Sequence, residues 1–354
     1  VERANRAVEL MRELDDERLL VKALVQLGNI YVLSGHPTRG FEVLNEAHGL
    51  AQRLGDDRLF LLPFFAVTEM IVGDDPARAV EQLGEVADLA RQVGDNTVLS
   101  HALGSRAVAL ARLGRFDEAF EILPRALTAA YASGSTIKEA DVSMLVGAAL
   151  MEMGEYDTGM RFIVHGRDKA LGVEGRECAA NGLWLSGQGR MTRRELEAAL
   201  EEFDQALQIA MGTAWEPYLY SVQASRAACR FLGGEIGAVT DLSAQLERAE
   251  SMRDAFGRWT AAQMLGEALT DLGRYEEALT HLEGALDWFR EHGLRPYVAR
   301  VLRDLARVQT ALGRGEEAAR SLDEAQLIES ALPDRPHDLS VLGEPGASPL
   351  AATA

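Results

Sequence analysis

The chain has 354 residues, of which 47% are hydrophobic and 26% are charged, and its formal net charge at pH 7 is −19. So large an acidic surplus argues against nucleic-acid binding, because contacts to phosphates need a basic surface. No unbroken apolar run approaches the roughly 18 residues that a membrane-spanning helix requires.

The N-terminal residues 1–14 predict an amphipathic helix, because their apolar residues recur every three or four positions. This segment has the pattern of the second helix of a repeat, and its first helix is missing. We therefore expect the chain to be a fragment of a larger protein, with a further domain attached on the N-terminal side.

Residues 15–331 repeat themselves eight times, with a period of 39 or 40 residues. Each copy predicts two amphipathic helices, and in six of the eight a glycine follows the first helix, where a left-handed cap favours glycine. A small residue marks the second helix of every copy, and a large apolar residue follows it by four positions. The small residues are Gly40, Ala79, Ala119, Gly159, Ala199, Ala238, Ala278 and Ala318.

The C-terminal residues 332–354 lack this periodicity and contain four of the ten prolines of the chain. A segment of this composition cannot bury an apolar face of its own, so we predict that it is disordered.

The repeat resembles the tetratricopeptide repeat. Two features carry the resemblance. A small residue occupies one position of the first helix in six repeats, as Gly28, Ala107, Gly147, Gly187, Gly266 and Ala306. An aromatic residue follows the glycine closely in three repeats, as Phe116, Tyr156 and Tyr275. The resemblance implies an all-α, right-handed superhelix (an α-solenoid) of about eight helix pairs. The period of 39 or 40 residues is longer than the usual 34, and in this respect the repeats resemble those of the maltose-regulator (MalT-like) type in bacterial signal-transduction ATPases, cyclases and kinases.

Motifs for chemistry are missing. The sequence has no G-x-x-x-x-G-K-[ST] phosphate loop, no H-E-x-x-H, no C-x-x-C and no G-x-S-x-G. Its seven histidines form no i, i+4 pair that would suggest a metal site. We predict that this region is not an enzyme and binds neither cofactor nor metal, although the parent protein could carry an enzyme domain.

The resemblance places the first helices on a concave face, where such arrays bind their ligands. In repeats four and five this face would carry a set of apolar and amide side chains: Met144, Met151, Asn181, Trp184, Gln188 and Met191. They could form an adaptable apolar cleft, or superhelical curvature could bury them as ordinary core.

A second candidate site is a stripe of arginines on one face of the eighth first helix, formed by Arg300, Arg303 and Arg307. Such a stripe could bind an acidic peptide or a terminal carboxylate. The alternative is a solvated stripe that pairs with the protein's own acidic residues.

The sequence thus predicts a protein-interaction or sensor region of a larger bacterial regulator, binding a peptide or protein on the concave face without contacting a membrane. Two cysteines, Cys178 and Cys229, lie in different repeats, which predicts free thiols and a cytoplasmic location. The alternative is a domain that senses a small-molecule inducer and controls an attached ATPase, adenylate or guanylate cyclase, or DNA-binding domain. An open charged groove would favour a peptide, and a closed apolar pocket an inducer.

Overall fold

The computed structural model describes residues 1–213, 219–252, 254–332 and 338–346. Within these ranges the chain forms seventeen α-helices, one short 3-10 helix and no β-strand, which confirms the prediction of an all-α helical-repeat solenoid. No helix in these ranges is long and apolar enough to span a membrane.

The helices follow one another in antiparallel pairs. The first nine are α1 Glu2–Glu13, α2 Glu17–Leu33, α3 Pro37–Leu54, α4 Asp57–Ile71, α5 Pro76–Val93, α6 Asn96–Arg112, α7 Phe116–Ala132, α8 Thr136–Glu152 and α9 Tyr156–Gly172. The remaining eight are α10 Arg176–Thr192, α11 Leu196–Ala210, α12 Leu219–Leu232, α13 Ala238–Ser251, α14 Ala255–Asp271, α15 Tyr275–Glu291, α16 Arg295–Ala311 and α17 Gly315–Ser330. The even-numbered helices α2 to α16 are the first helices of the eight repeats. Helix α1 packs on α2 through the buried Val8.

The helix lengths explain the period of the sequence. Helices α6 to α10 each contain 17 residues, and three-residue loops join them, so one repeat spans 40 residues. Helices of 17 residues are about 25 Å long at 1.5 Å per residue.

The loop between α6 and α7 shows why glycine follows the first helix. Gly114 has a φ of 77°, a left-handed conformation that costs other residues energy. The next backbone N–H, that of Arg115, donates to the carbonyl of Leu110 at 2.9 Å and closes the helix end. The predicted glycine is left-handed in five of its six occurrences; in repeat six Gly234 takes this role instead of Gly233.

The superhelix curls until its C-terminal repeats touch its N-terminal ones. The backbone N–H of Ala255, at the start of α14, donates to Asp74 of repeat two at 3.4 Å. The hydroxyl of Tyr297, near the start of α16, donates to Glu152 at the end of α8. These contacts lie across the inner face formed by the first helices.

Part of the C-terminal segment is ordered against the outside of the solenoid. Residues Leu339–Leu342 form the 3-10 helix, and Leu342 is only 5% exposed, in a groove beside α7 and α9. Arg161 of α9 forms a salt bridge with Glu344 at 2.9 Å. Residues 338–346 therefore differ from the disordered segment expected over 332–354, because a groove on the repeats buries the leucine that the segment cannot bury alone. Residues 333–337 and 347–354 lie outside the described ranges.

Candidate ligand-binding site

The inner face carries a cavity of about 400 Å³, which we call the Trp184 cavity. Five first helices, α8, α10, α12, α14 and α16, supply most of its walls, and Arg112 at the end of α6 completes one end. Because first helices from repeats four to eight all face this space, curvature of the solenoid creates the cavity.

Four of the six residues predicted in repeats four and five line this cavity: Met151, Trp184, Gln188 and Met191. Trp184 is half-buried, and its indole N–H donates to the hydroxyl of Ser225 on α12 at 3.0 Å. The Gln188 amide also donates to Ser225, at 3.4 Å. The Ser225 hydroxyl therefore fixes two cavity side chains.

Met144 and Asn181 are not in the cavity wall. Met144 is 1% exposed, because its side chain fills the space beside two glycines, Gly166 and Gly182. The prediction of Met144 on the exposed concave face is corrected to a core position. Asn181 is half-buried near the start of α10 and does not line the cavity.

The three arginines of the stripe lie in two different surroundings. Arg300 lines the Trp184 cavity, where its guanidinium lies 3.9 Å above the ring of Tyr297. Arg303 forms a salt bridge with Glu329, and Arg307 forms one with Asp271 at 2.8 Å. Arg303 and Arg307 thus pair with the protein's own acids, whereas closure of the superhelix brings Arg300 to the cavity.

Beside Arg300, one end of the cavity holds a cluster of residues that was not predicted from the sequence: Arg112, Glu152, Phe256 and Tyr297. Repeat periodicity says nothing about contacts between repeats that are far apart in the chain. One feature of the sequence could have indicated this cluster: aromatic residues, Phe256 and Tyr297, stand in the first turns of both α14 and α16.

A second cavity of about 570 Å³, the His101 cavity, adjoins the first and shares Gly73 and Asp254 with it. The two cavities therefore form neighbouring parts of one inner surface. Apolar side chains such as Phe65 and Met70 line the second cavity beside charged ones, including His101 and Lys138.

His101 carries a positive charge over the neutral pH range. One ring nitrogen lies 2.7 Å from Asp141 and the other lies 3.4 Å from Glu69. Burial disfavours the charged ring, but the two carboxylates outweigh burial and raise the pKa of His101 to about 10. Burial alone would raise the pKa of Asp141, yet His101 and Lys138 lower it to about 2. This network joins α4, α6 and α8 on the inner face.

Two further carboxyl groups lie on the inner helices α14 and α16. The Gln263 amide donates to Asp304 at 2.9 Å and to Glu267 at 3.3 Å. Burial, and then the charge of Asp304, raise the pKa of Glu267 to about 7. Burial also raises the pKa of Asp304. This carboxyl pair therefore holds less negative charge than two ordinary surface carboxylates.

Comparison with known proteins identifies the repeat. Two tetratricopeptide-repeat family profiles match residues 259–326 and 100–123. No curated protein matches the chain. Together with the helix pairs of the structure, the profile matches show that the chain is a tetratricopeptide-repeat array.

Two solved structures share the whole architecture. One is a Rap protein complexed with Competence and Sporulation Factor, at 14% identity and a TM-score of 0.69, over 93% of this chain and 94% of that one. The other is the Rap conjugation gene regulator of the plasmid pLS20 in complex with the Phr* peptide, at 15% identity and a TM-score of 0.59. That match covers 88% of this chain and 95% of the regulator. At 14% and 15% sequence identity, these matches show a shared fold and nothing more.

Proposed function

We propose that this tetratricopeptide-repeat array binds a peptide, or an extended segment of a partner protein, on its concave face. The observation that carries the proposal is the adjacency of the Trp184 and His101 cavities, which share Gly73 and Asp254. Two joined cavities with mixed apolar and charged walls suit an elongated ligand that has several different side chains.

The comparisons support the peptide over other ligands. Of the two structures compared above, one is a complex with Competence and Sporulation Factor and the other is a complex with the Phr* peptide. In this chain, the shape and the mixed apolar and charged lining of the two cavities support a peptide ligand. We further propose a cytoplasmic setting within a larger bacterial regulator, to which the free thiols of Cys178 and Cys229 are suited.

A small-molecule effector is the second candidate. The Trp184 cavity alone, at about 400 Å³, has the size of an ordinary small-molecule site. A ligand of this kind would occupy one cavity, whereas a peptide would extend into both.

The test uses a synthetic pool of random N-acetylated heptapeptides with free C-terminal carboxylates, captured on the immobilised protein and sequenced by mass spectrometry. We expect a limited set of sequences to be enriched. For an enriched peptide, Trp184→Ala should weaken binding by about 2 kcal/mol or more, because buried tryptophans are frequent energetic anchors of interfaces.

The matched control is Trp288→Ala, which removes a half-buried tryptophan from α15, a second helix outside both cavities. Its affinity for the same peptide should equal that of the unaltered protein. Capture of no peptide, or an equal loss of affinity in both variants, would contradict a peptide site in the Trp184 cavity.

A further inference from the structure

We propose that Arg112 and Arg300 form a paired binding site for a carboxylate group of the ligand, at one end of the Trp184 cavity. This inference rests on the proposed function, and it adds the chemical class that the cavity selects. The two arginines belong to repeats three and eight, and closure of the superhelix brings them together.

Aromatic rings hold both guanidinium groups in place. The Arg112 guanidinium lies 3.9 Å above the ring of Phe256, and that of Arg300 lies 3.9 Å above the ring of Tyr297. The two rings contact each other edge to face, with centroids 5.2 Å apart. A stacked guanidinium keeps its N–H groups in a fixed plane and directs them sideways. Less side-chain freedom is then lost when those N–H groups bind a ligand.

The N–H groups of this pair are poorly satisfied by the protein. The Nε of Arg112 is buried and has no hydrogen-bond partner in the described parts of the chain; the nearest approach of Glu152 is 3.5 Å. The Nη2 of Arg300 lies 3.8 Å from Glu152, beyond hydrogen-bonding distance. Glu152 instead accepts a hydrogen bond from the hydroxyl of Tyr297. Each guanidinium has five N–H donors in a fork that fits a carboxylate.

Other arginines of the stripe show what a satisfied guanidinium looks like in this protein. Arg303 donates to both oxygens of Glu329, and Arg307 donates to Asp271 at 2.8 Å. Arg300 differs from them because it lines a cavity and its acidic neighbour, Glu152, lies 3.8 Å away, beyond hydrogen-bonding distance, although all three arginines share one face of α16.

The charges at this end of the cavity also favour an anion. Two permanently charged guanidinium groups share the single carboxylate of Glu152 within 4 Å among the described residues. Asp254, the other carboxyl group in the cavity wall, forms no salt bridge with either arginine in the described parts of the chain and accepts a hydrogen bond from the hydroxyl of Tyr220. Glu267 and Asp304 also lie beyond 4 Å of Arg300, and burial raises the pKa of both. A carboxylate from the ligand would therefore compensate positive charge in a partly desolvated place, where charge-assisted hydrogen bonds are strongest.

The carboxylate can be the C-terminus of a peptide or the side chain of an aspartate or glutamate. The experiment compares two N-acetylated random heptapeptide pools, one with a free C-terminal carboxylate and one with a C-terminal carboxamide. A terminal carboxylate predicts enrichment from the first pool only. A side-chain carboxylate predicts enrichment from both pools, with aspartate or glutamate fixed at one position.

For an enriched peptide, Arg112→Gln and Arg300→Gln should each weaken binding tenfold or more, as expected for the loss of a charge-assisted hydrogen bond. The matched control Arg303→Gln, on the same helix, should change affinity less than twofold. Thermal melts of all variants check that each is folded, and the comparison of pools on the unaltered protein needs no variant at all.

The outcomes separate this inference from the proposed function. Enriched peptides that need Trp184, yet come equally from the carboxamide pool without a fixed acidic residue, would overturn the carboxylate site and leave peptide binding intact. Equal affinity of Arg300→Gln and Arg303→Gln for an acidic peptide would also overturn it. If neither pool yields a ligand, the proposed function fails and the inference fails with it.

Discussion

The close packing of helices α8 and α9 gives a sharp prediction for stability. A Cβ atom added at Gly147 on α8 would lie 2.6 Å from the carbonyl oxygen of Gly159 and 2.6 Å from Cγ1 of Ile163, both on α9. The backbone nitrogen of Ile163 would be 3.0 Å away. Side-chain rotation cannot relieve contacts with backbone atoms, so Gly147→Ala must push the two helices apart.

Overpacking of a core costs about 1–3 kcal/mol, and the backbone contacts place Gly147→Ala near the upper end. Alanine regains about 1 kcal/mol relative to glycine within a helix, so we expect a net loss of about 2 kcal/mol in the free energy of unfolding. Because Met151 lies one turn further along α8 and lines the Trp184 cavity, the same change should also disturb ligand binding.

The matched control is Gly172→Ala at the end of α9. A Cβ atom there would meet nothing within 4 Å, and the residue has no positive φ. This substitution should leave stability unchanged or raise it by up to about 1 kcal/mol. Urea unfolding followed by circular dichroism gives both values, and hydrogen exchange shows whether the loss is concentrated in repeat four and its neighbours, as expected for a solenoid. Equal stability of the two variants would refute the backbone contact between α8 and α9.

Two further predictions concern the charged network and the C-terminal segment. By NMR, the imidazole of His101 should remain protonated at pH 8, and Asp141→Asn should lower its pKa toward the ordinary value. Because the folded pKa is raised above the unfolded value near 6.5, the stabilisation from His101 is complete below pH 6.5 and is lost as the pH rises to about 10. A pKa near 6.5 in the unaltered protein would contradict the network. Removing all residues after Leu332 should lower the free energy of unfolding by about 1.5–3 kcal/mol, because Leu342 is 5% exposed; Leu342→Ala should reproduce most of the loss. Identical thermal melts of the full and shortened chains would show that residues 338–346 add no stability.

The repeat and its local geometry can be predicted from the sequence alone. A periodic apolar pattern reports the face that each helix buries against its neighbours, and those neighbours are close in the chain. The glycine at the end of each first helix reports a backbone conformation, as Gly114 shows with its φ of 77°. Both features depend on contacts within one repeat or between adjacent repeats, so one sequence contains enough information to predict them.

The sequence also predicted candidate residues on the inner face, with mixed outcomes. Met151, Trp184, Gln188 and Met191 line a cavity, whereas Met144 fills the core. Met144 and Met151 are seven residues apart and share a helix face, so periodicity cannot distinguish them. The two glycines beside Met144, on α9 and α10, create the space that buries it.

Contacts between distant repeats, in contrast, cannot be predicted from the sequence. Arg112 and Arg300 approach the same carboxylate, Glu152, although 188 positions separate them in the sequence. The small rotation from each helix pair to the next accumulates over several repeats, and the final position depends on the packing at every interface between them. A local sequence pattern does not contain this accumulated rotation. For that reason the paired arginines, the joined cavities and the docked Leu342 can be seen only in the folded chain.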